Sequence, residues 1–210
     1  MYQRQPFRQG LCLRDLGQGA VVRVTHVQGN IRLQDAARAT VLLGNSYEGS
    51  VVVAGKARER DGFLGILTRL GTSCTHALYV KDNHRLVASD FYIEQADNGH
   101  SLEGSPDDPP GRLTLGTPKL HLGVRKDGEP NVAFDIRGYH GRIAYGLAQF
   151  YIEPRAMTLR HTGTSPLEMV LWGGSFYNTA LSVQTEAAAR ISLLGHTIVS
   201  DKLENAEVEE

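Results

Sequence analysis

The feature that most constrains this chain is a recurrence of short strand-like runs about 24 residues apart. Four segments align by eye, residues 85–94, 142–153, 167–178 and 190–199. Each follows a shorter run, residues 77–80, 132–136, 157–159 and 181–183. Ile136 to Leu159 spans 23 residues, and Leu159 to Val183 spans 24. Residues 39–44, 50–53, 63–68 and 112–116 keep the same rhythm, so the chain reads as about seven turns. One such turn cannot bury its apolar face alone. Stacking turns about 4.8 Å apart buries a continuous core, which is the logic of a parallel β-solenoid. A helical repeat would need amphipathic runs of ten or more residues. Only residues 185–190 look briefly helical, and they read equally well as a turn. A jelly roll or other sandwich also supplies many short strands, but the fixed spacing late in the chain favours the solenoid.

Composition narrows the function classes. Lys plus Arg is 22 against 23 for Asp plus Glu, a net charge of −1, which excludes the basic excess of a general nucleic-acid binder. With 41% hydrophobic and 21% charged residues the chain is built to fold. No apolar run approaches the roughly 18 residues of a membrane-spanning helix. Residues 1–203 are read as one solenoid domain and residues 204–210 as an acidic tail that frays. Two cysteines, Cys12 and Cys74, make no disulfide framework and are expected to be free, buried thiols. There is no zinc-ligand spacing and no glycine-rich phosphate loop, so neither a metal nor a cofactor is expected. The first residues lack the apolar core of a secretory signal, so the chain begins as a cytosolic protein or as a fragment of a longer one.

Three stretches interrupt the rhythm. Asp97-Asn98-Gly99 and residues 105–111 carry turn and loop chemistry, and residues 126–130 read as a hairpin tip. Loops projecting from a rigid solenoid are expected carriers of function.

Alternation along the strands defines candidate surface columns. In Phe91-Tyr92-Ile93-Glu94 the outward positions are Tyr92 and Glu94, and in Phe150-Tyr151-Ile152-Glu153 they are Tyr151 and Glu153. Aligning Arg85 with Arg112 places Lys119 beside Tyr92 and His121 beside Glu94. The expected columns are Tyr92–Lys119–Tyr151 and Glu94–His121–Glu153. Aromatic faces stack on sugar rings, and a lysine pairs with a uronate carboxylate. Two carboxylates two rungs apart stand about 10 Å from each other, near the inverting-glycosidase separation. His121 between them serves as acid or base. The same ladder is also what an inert solenoid displays. A second candidate is the turn Lys81-Asp82-Asn83-His84-Arg85, with Asp82 and His84 as an acid/base pair. Arg137, His140 and Arg142 would continue Arg85 as a basic stripe. Trp172, before Gly173-Gly174, is a candidate sugar platform or a half-buried residue beside a tight turn.

The run from Ala77 through Asp82-Asn83 to Phe91-Tyr92-Ile93-Glu94-Gln95 resembles two strands of a right-handed parallel β-helix. It is similar to the later coils of the pectate-lyase-like, glycoside hydrolase family 28-related superfamily. The resemblance covers about residues 35–200 and rests on coil rhythm and Gly/Asn turns. It implies an all-β, single-stranded, right-handed parallel β-helix that binds or cleaves a polysaccharide, often an acidic one, frequently outside the cell. The catalytic roles then fall on Glu94, His121 and Glu153, and substrate contacts on Tyr92, Lys119 and Tyr151. The polygalacturonase Asn-Thr-Asp and Asp-Asp motifs are absent; Asp107-Asp108 lies in the Pro-rich loop. The pectate-lyase calcium cluster and the capping helix are absent too. This chain therefore also reads as the C-terminal coils of a longer solenoid, or as a structural, adhesive, tailspike-like segment, trimeric in that case.

Overall fold

Apolar and polar residues alternating with period two build strands such as Leu11–Arg14, Ile31–Gln34 and Leu167–Trp172, while others, such as Val132–Arg137, are buried along nearly their whole length. The computed structural model describes residues 10–16, 20–35, 40–47, 49–54, 62–70, 76–82, 86–117, 119–122, 129–147, 149–151, 157–172, 175–177, 183–194 and 206–209. In chain order the strands begin with β1 (Leu11–Arg14), β2 (Val21–Gln28), β3 (Ile31–Gln34), β4 (Thr40–Tyr47), β5 (Val51–Ala54), β6 (Gly62–Leu70) and β7 (His76–Val80). They continue with β8 (Leu86–Ala96), β9 (Asn98–Glu103), β10 (Gly111–Thr117), β11 (Lys119–Leu122), β12 (Val132–Arg137), β13 (Gly141–Leu147) and β14 (Gln149–Tyr151). The last are β15 (Met157–Thr162), β16 (Leu167–Trp172), β17 (Ser175–Tyr177), β18 (Val183–Thr185), β19 (Ala189–Leu194) and β20 (Ala206–Glu209). No helix occurs among the described residues.

The protein is all-β, with two parallel sheets. One has eight strands in the order β1-β3-β5-β7-β9-β12-β15-β18. The other has twelve, with the path β17-β14-β11-β8-β10-β13-β16-β19-β20 and with β2, β4 and β6 leading into β8. The chain visits the sheets in turn, an arrangement compatible with a β-helix-like solenoid. One column of paired residues runs through the eight-stranded sheet as Leu11, Ile31, Val51, Leu78, His100, Phe134, Leu159 and Val183. The steps along it are 20, 20, 27, 22, 34, 25 and 24 residues. The step from Leu159 to Val183 is the one expected from sequence. The preceding step is not, because Leu159 pairs with Phe134 while Ile136 pairs with His161.

Chain reversal after the strands of this sheet uses a recurring device. Asp15, Asp35 and Asp82 all have positive φ, 52°, 51° and 58°, directly after β1, after β3 and just beyond β7. Aspartate tolerates the left-handed region because its short polar side chain hydrogen-bonds locally. The corner after β12 is Gly138 (φ 64°), and its N–H donates to the Thr162 carbonyl of the next strand at 2.9 Å.

The core is mostly aliphatic on both inner faces, with Phe134, Tyr139 and Tyr145 wholly buried among the aliphatic side chains. Leu33, Val53, Val80, Leu102 and Ile136 form the second inward column of the eight-stranded sheet, all 3% exposed or less. Leu86, Leu113, Ile143, Met169 and Ile191 form its counterpart in the other sheet. Two histidines interrupt the aliphatic columns. His100 is wholly buried, stacks on Phe134 at 5.1 Å and shares a 2.9 Å hydrogen bond with the Tyr145 hydroxyl of the opposite sheet. Burial lowers its pKa to about 3. His161 is bonded through Nδ1 to Thr185 Oγ1 at 2.9 Å. Burial lowers its pKa as well, against the opposing charge of Glu186.

Several local expectations change. Asn98-Gly99 does not form a loop; it opens β9, where Asn98 Oδ1 accepts the Val132 N–H and extends the ladder. The loop is confined to residues 104–110. Residues 186–188 form the turn between β18 and β19, so the brief helical signal there is a turn. Ala206–Glu209, in the acidic segment, pairs with β19 as β20. Cys12 is a free thiol but exposed rather than buried, because it occupies an outward position of the first strand. Cys74 and residues 126–128 lie outside the described residues. Among the described residues no helix is long and apolar enough to cross a membrane.

Candidate binding site

Register decides which of the expected surface residues meet. β11 pairs with β8 so that Lys119 lies opposite Tyr92 and His121 opposite Glu94. On its other side β11 pairs with β14, which puts Tyr151 opposite His121, not in the Lys119 column. The next rung sets Tyr177 opposite Tyr151 and Ser175 opposite Gln149. The observed columns are therefore Tyr92–Lys119 and Glu94–His121–Tyr151–Tyr177. Tyr151 was misassigned because Phe150-Tyr151-Ile152-Glu153 copies Phe91-Tyr92-Ile93-Glu94. Register follows residue count from a shared hydrogen-bonded start, not side-chain likeness. Arg112 and Arg142 pair, and nine residues beyond each lie His121 and Tyr151. Glu153 falls outside the described residues. Leu120 and Leu122 are buried and His121 between them is half-buried.

The same sheet carries a second surface earlier in each strand. Outward positions of β10, β13, β16 and β19 form three columns. Arg112, Arg142, Glu168 and Arg190 are exposed and make the first, with Arg142 Nε 3.4 Å from Glu168 Oε1. Thr114, Ala144, Val170 and Ser192 make the second, all small or β-branched. Gly116, Gly146, Trp172 and Leu194 make the third. Trp172 is 42% exposed and Leu194 50%. Two glycines thus precede the indole in its column.

The outer face of the eight-stranded sheet is different in kind. Asp135 is wholly buried, and both its oxygens accept guanidinium donors: Arg137 Nη2 at 2.7 Å and Arg160 Nε at 2.9 Å. Burial alone favours the neutral acid, but the hydrogen bonds and charges of Arg160 and Arg137 prevail and hold its pKa below the ordinary value. On the neighbouring strand Glu103 Oε2 accepts the hydroxyl of Tyr79 from β7, and Lys81 Nζ lies 3.7 Å from Glu103 Oε1 and 5.1 Å from the Tyr79 ring centroid. Burial, then the bond to Glu103 and its charge, pushes the Tyr79 pKa up to about 12. Ser101 Oγ shares a 2.6 Å hydrogen bond with His76 Nδ1, and Asn98 Nδ2 stands 3.4 Å from the same nitrogen.

Sequence reading missed this ladder apart from Lys81 and Arg137. Tyr79, Glu103, Asp135 and Arg160 come from strands joined by unequal steps, so no fixed period aligns them. The signal available was a pair of polar or charged residues flanking a buried aliphatic, as in Asp135-Ile136-Arg137 and Tyr79-Val80-Lys81. The expected basic stripe does not form. Arg137 belongs to the eight-stranded sheet and pairs with Asp135, whereas Arg142 belongs to the other sheet and pairs with Glu168. Asp82 is an exposed corner residue, and Asn83, His84 and Arg85 lie outside the described residues.

Among the described residues no group of three or more His, Cys, Asp or Glu side chains is placed to hold a metal ion. Compared with protein families, curated proteins and solved structures, the chain finds no match. The functional reading therefore rests on fold and surface alone.

Proposed function

We propose that the chain is a single-stranded right-handed parallel β-helix of about seven coils that binds a polysaccharide along the twelve-stranded sheet. The alternation of strands between two parallel sheets supports the coil reading. The strong preference of parallel crossovers for one hand supports right-handedness. One observation carries the function: the register sets Lys119 opposite Tyr92 and, two residues on, His121 between Glu94 and Tyr151. Aromatic, cationic and carboxylate positions thus share a patch about 7 Å by 10 Å, from strand rise and rung spacing. That combination suits a sugar, whose ring faces stack on aromatics and whose hydroxyls and carboxylates need charged partners.

Binding and cleavage are separable in one experiment. Acidic and neutral polysaccharides are run against the protein by affinity electrophoresis, with reducing ends and unsaturated-uronate absorbance read in parallel. Retardation that is lost in the Tyr92→Ala/Lys119→Ala double variant supports the reading, and no retardation by any polysaccharide overturns it. Reducing ends without the absorbance assign hydrolysis to Glu94, Glu153 and His121. Reducing ends with it assign a lyase.

A structural or adhesive segment is the second reading. It is favoured by the eight-stranded sheet, where the carboxylates of Asp135 and Glu103 are both engaged by neighbouring side chains. Light scattering after size exclusion discriminates: a trimer supports this reading and a monomer counts against it.

A further inference from the structure

Trp172 is the only tryptophan in the chain. It sits at an outward position of a central strand, between β13 and β19, with 42% of its surface open. The ring does not stand away from the sheet. A Cβ at Gly146 would come within 2.9 Å of Trp172 Nε1, 3.2 Å of Cε2 and 3.5 Å of Cζ2. The indole therefore lies across the neighbouring rung, in the space that a side chain at 146 would fill. Only glycine allows that posture, and the next residue of the column, Gly116, is a glycine too.

The surroundings say what the ring faces. Thr114, Ala144, Val170 and Ser192 keep the adjacent column low. Four strand residues from the tryptophan column, about 13 Å away, lies the exposed Arg142–Glu168 pair. A protein partner would call for a contiguous apolar patch. Among the described residues, the large apolar side chains exposed on the β10–β19 face are Trp172 and Leu194, bordered by small residues and then by charge. A flat aromatic ring beside a column of small or β-branched residues, with donors and acceptors within an oligosaccharide's reach, fits a pyranose ring and its neighbours. An aromatic already lying against its support also loses little conformational freedom on binding.

We propose that Trp172 is a sugar-stacking platform: a pyranose ring of the bound polysaccharide lies on the outer face of the indole, and following sugars cross toward Arg142 and Glu168. This rests on the polysaccharide reading above but places a subsite away from the Tyr92–Lys119 and His121 columns.

Because no other tryptophan contributes, intrinsic emission reports this site alone. The probes are polygalacturonate and hydroxyethyl cellulose, whichever retards the protein in affinity electrophoresis. The expected result is a shift or quench of Trp172 emission with the midpoint seen by electrophoresis. Trp172→Ala should lower affinity at least tenfold with an unchanged circular dichroism spectrum and Tm, while Trp172→Phe retains part of it. Gly146→Ala, which displaces the indole from its rung, should weaken binding while the tryptophan remains. Retardation with unchanged emission, and with full affinity in Trp172→Ala, overturns the platform and leaves the polysaccharide reading standing. No retardation by any polysaccharide overturns both.

Discussion

The outer faces of the two sheets are built from the same pleated geometry and differ in how their charges are placed. On the eight-stranded sheet, charged side chains turn on one another. Asp135 is closed off from water by Arg137 and Arg160, and Glu103 receives both Tyr79 and Lys81. On the twelve-stranded sheet, the β10–β19 face keeps its charge in one exposed row and leaves small residues and an open indole beside it. A charge network that is buried holds strands together more strongly than one exposed to solvent.

Removing Asp135 tests this most severely. Asp135→Ala leaves two guanidiniums facing a vacated buried position, and loss of one partner of a buried pair typically costs about 3–5 kcal/mol. With Arg137 57% and Arg160 26% exposed, the lower end applies, about 3 kcal/mol, or a Tm lower by roughly 6–12 °C. Urea denaturation with an unchanged midpoint would show that the ladder is ornamental.

Acid should strike the same side of the molecule. His100 stays neutral in the folded chain down to about pH 3, whereas in the unfolded chain it takes up a proton near 6.5. Between those values the unfolded state binds more protons, so stability falls with falling pH by about 1.4 kcal/mol per unit for this one group. His161, also lowered, adds to the slope in the same direction. Asp135 contributes in the window below the ordinary carboxylate value, and its stabilisation is lost as pH drops through its depressed folded pKa. Urea melts at pH 7, 6 and 5 should give a falling series that His100→Leu makes shallower. A series that His100→Leu does not flatten would contradict a neutral buried imidazole.

The smallest effect belongs to the open face. The Arg142–Glu168 pair is about half exposed on both partners, so Arg142→Ala should cost less than about 1 kcal/mol. A loss as large as that of Asp135→Ala would erase the distinction between the faces.

The parts legible in the sequence were those governed by local alternation and by counting. The pairings of Lys119 with Tyr92 and of His121 with Glu94 follow from counting equal distances from Leu86 and Leu113, which pair. The parallel, all-β character followed from short apolar runs at a recurring interval. Illegible were the contacts that depend on how much chain each corner absorbs. Asp135 and Arg160 meet across 25 residues, while the His100-to-Phe134 step on the other side of that strand takes 34. Nothing local in Asn98-Gly99 distinguishes a turn from the start of β9. The choice is made by Val132, whose N–H needs the Asn98 side-chain oxygen. His100 in the core was equally hidden, since its partner Tyr145 comes from the opposite sheet.

The unequal steps along the Leu11-to-Val183 column have a consequence for how such a molecule changes over time. Chain length between paired residues ranges from 20 to 34, yet the column is unbroken. The architecture therefore separates two kinds of inheritance. Residues inside the sheets are constrained by their neighbours above and below. The corners, residues 104–110 above all, are free to lengthen without disturbing a single rung. New recognition elements can be added at such a corner as a graft is added to a trunk, with the old surface kept intact beside them.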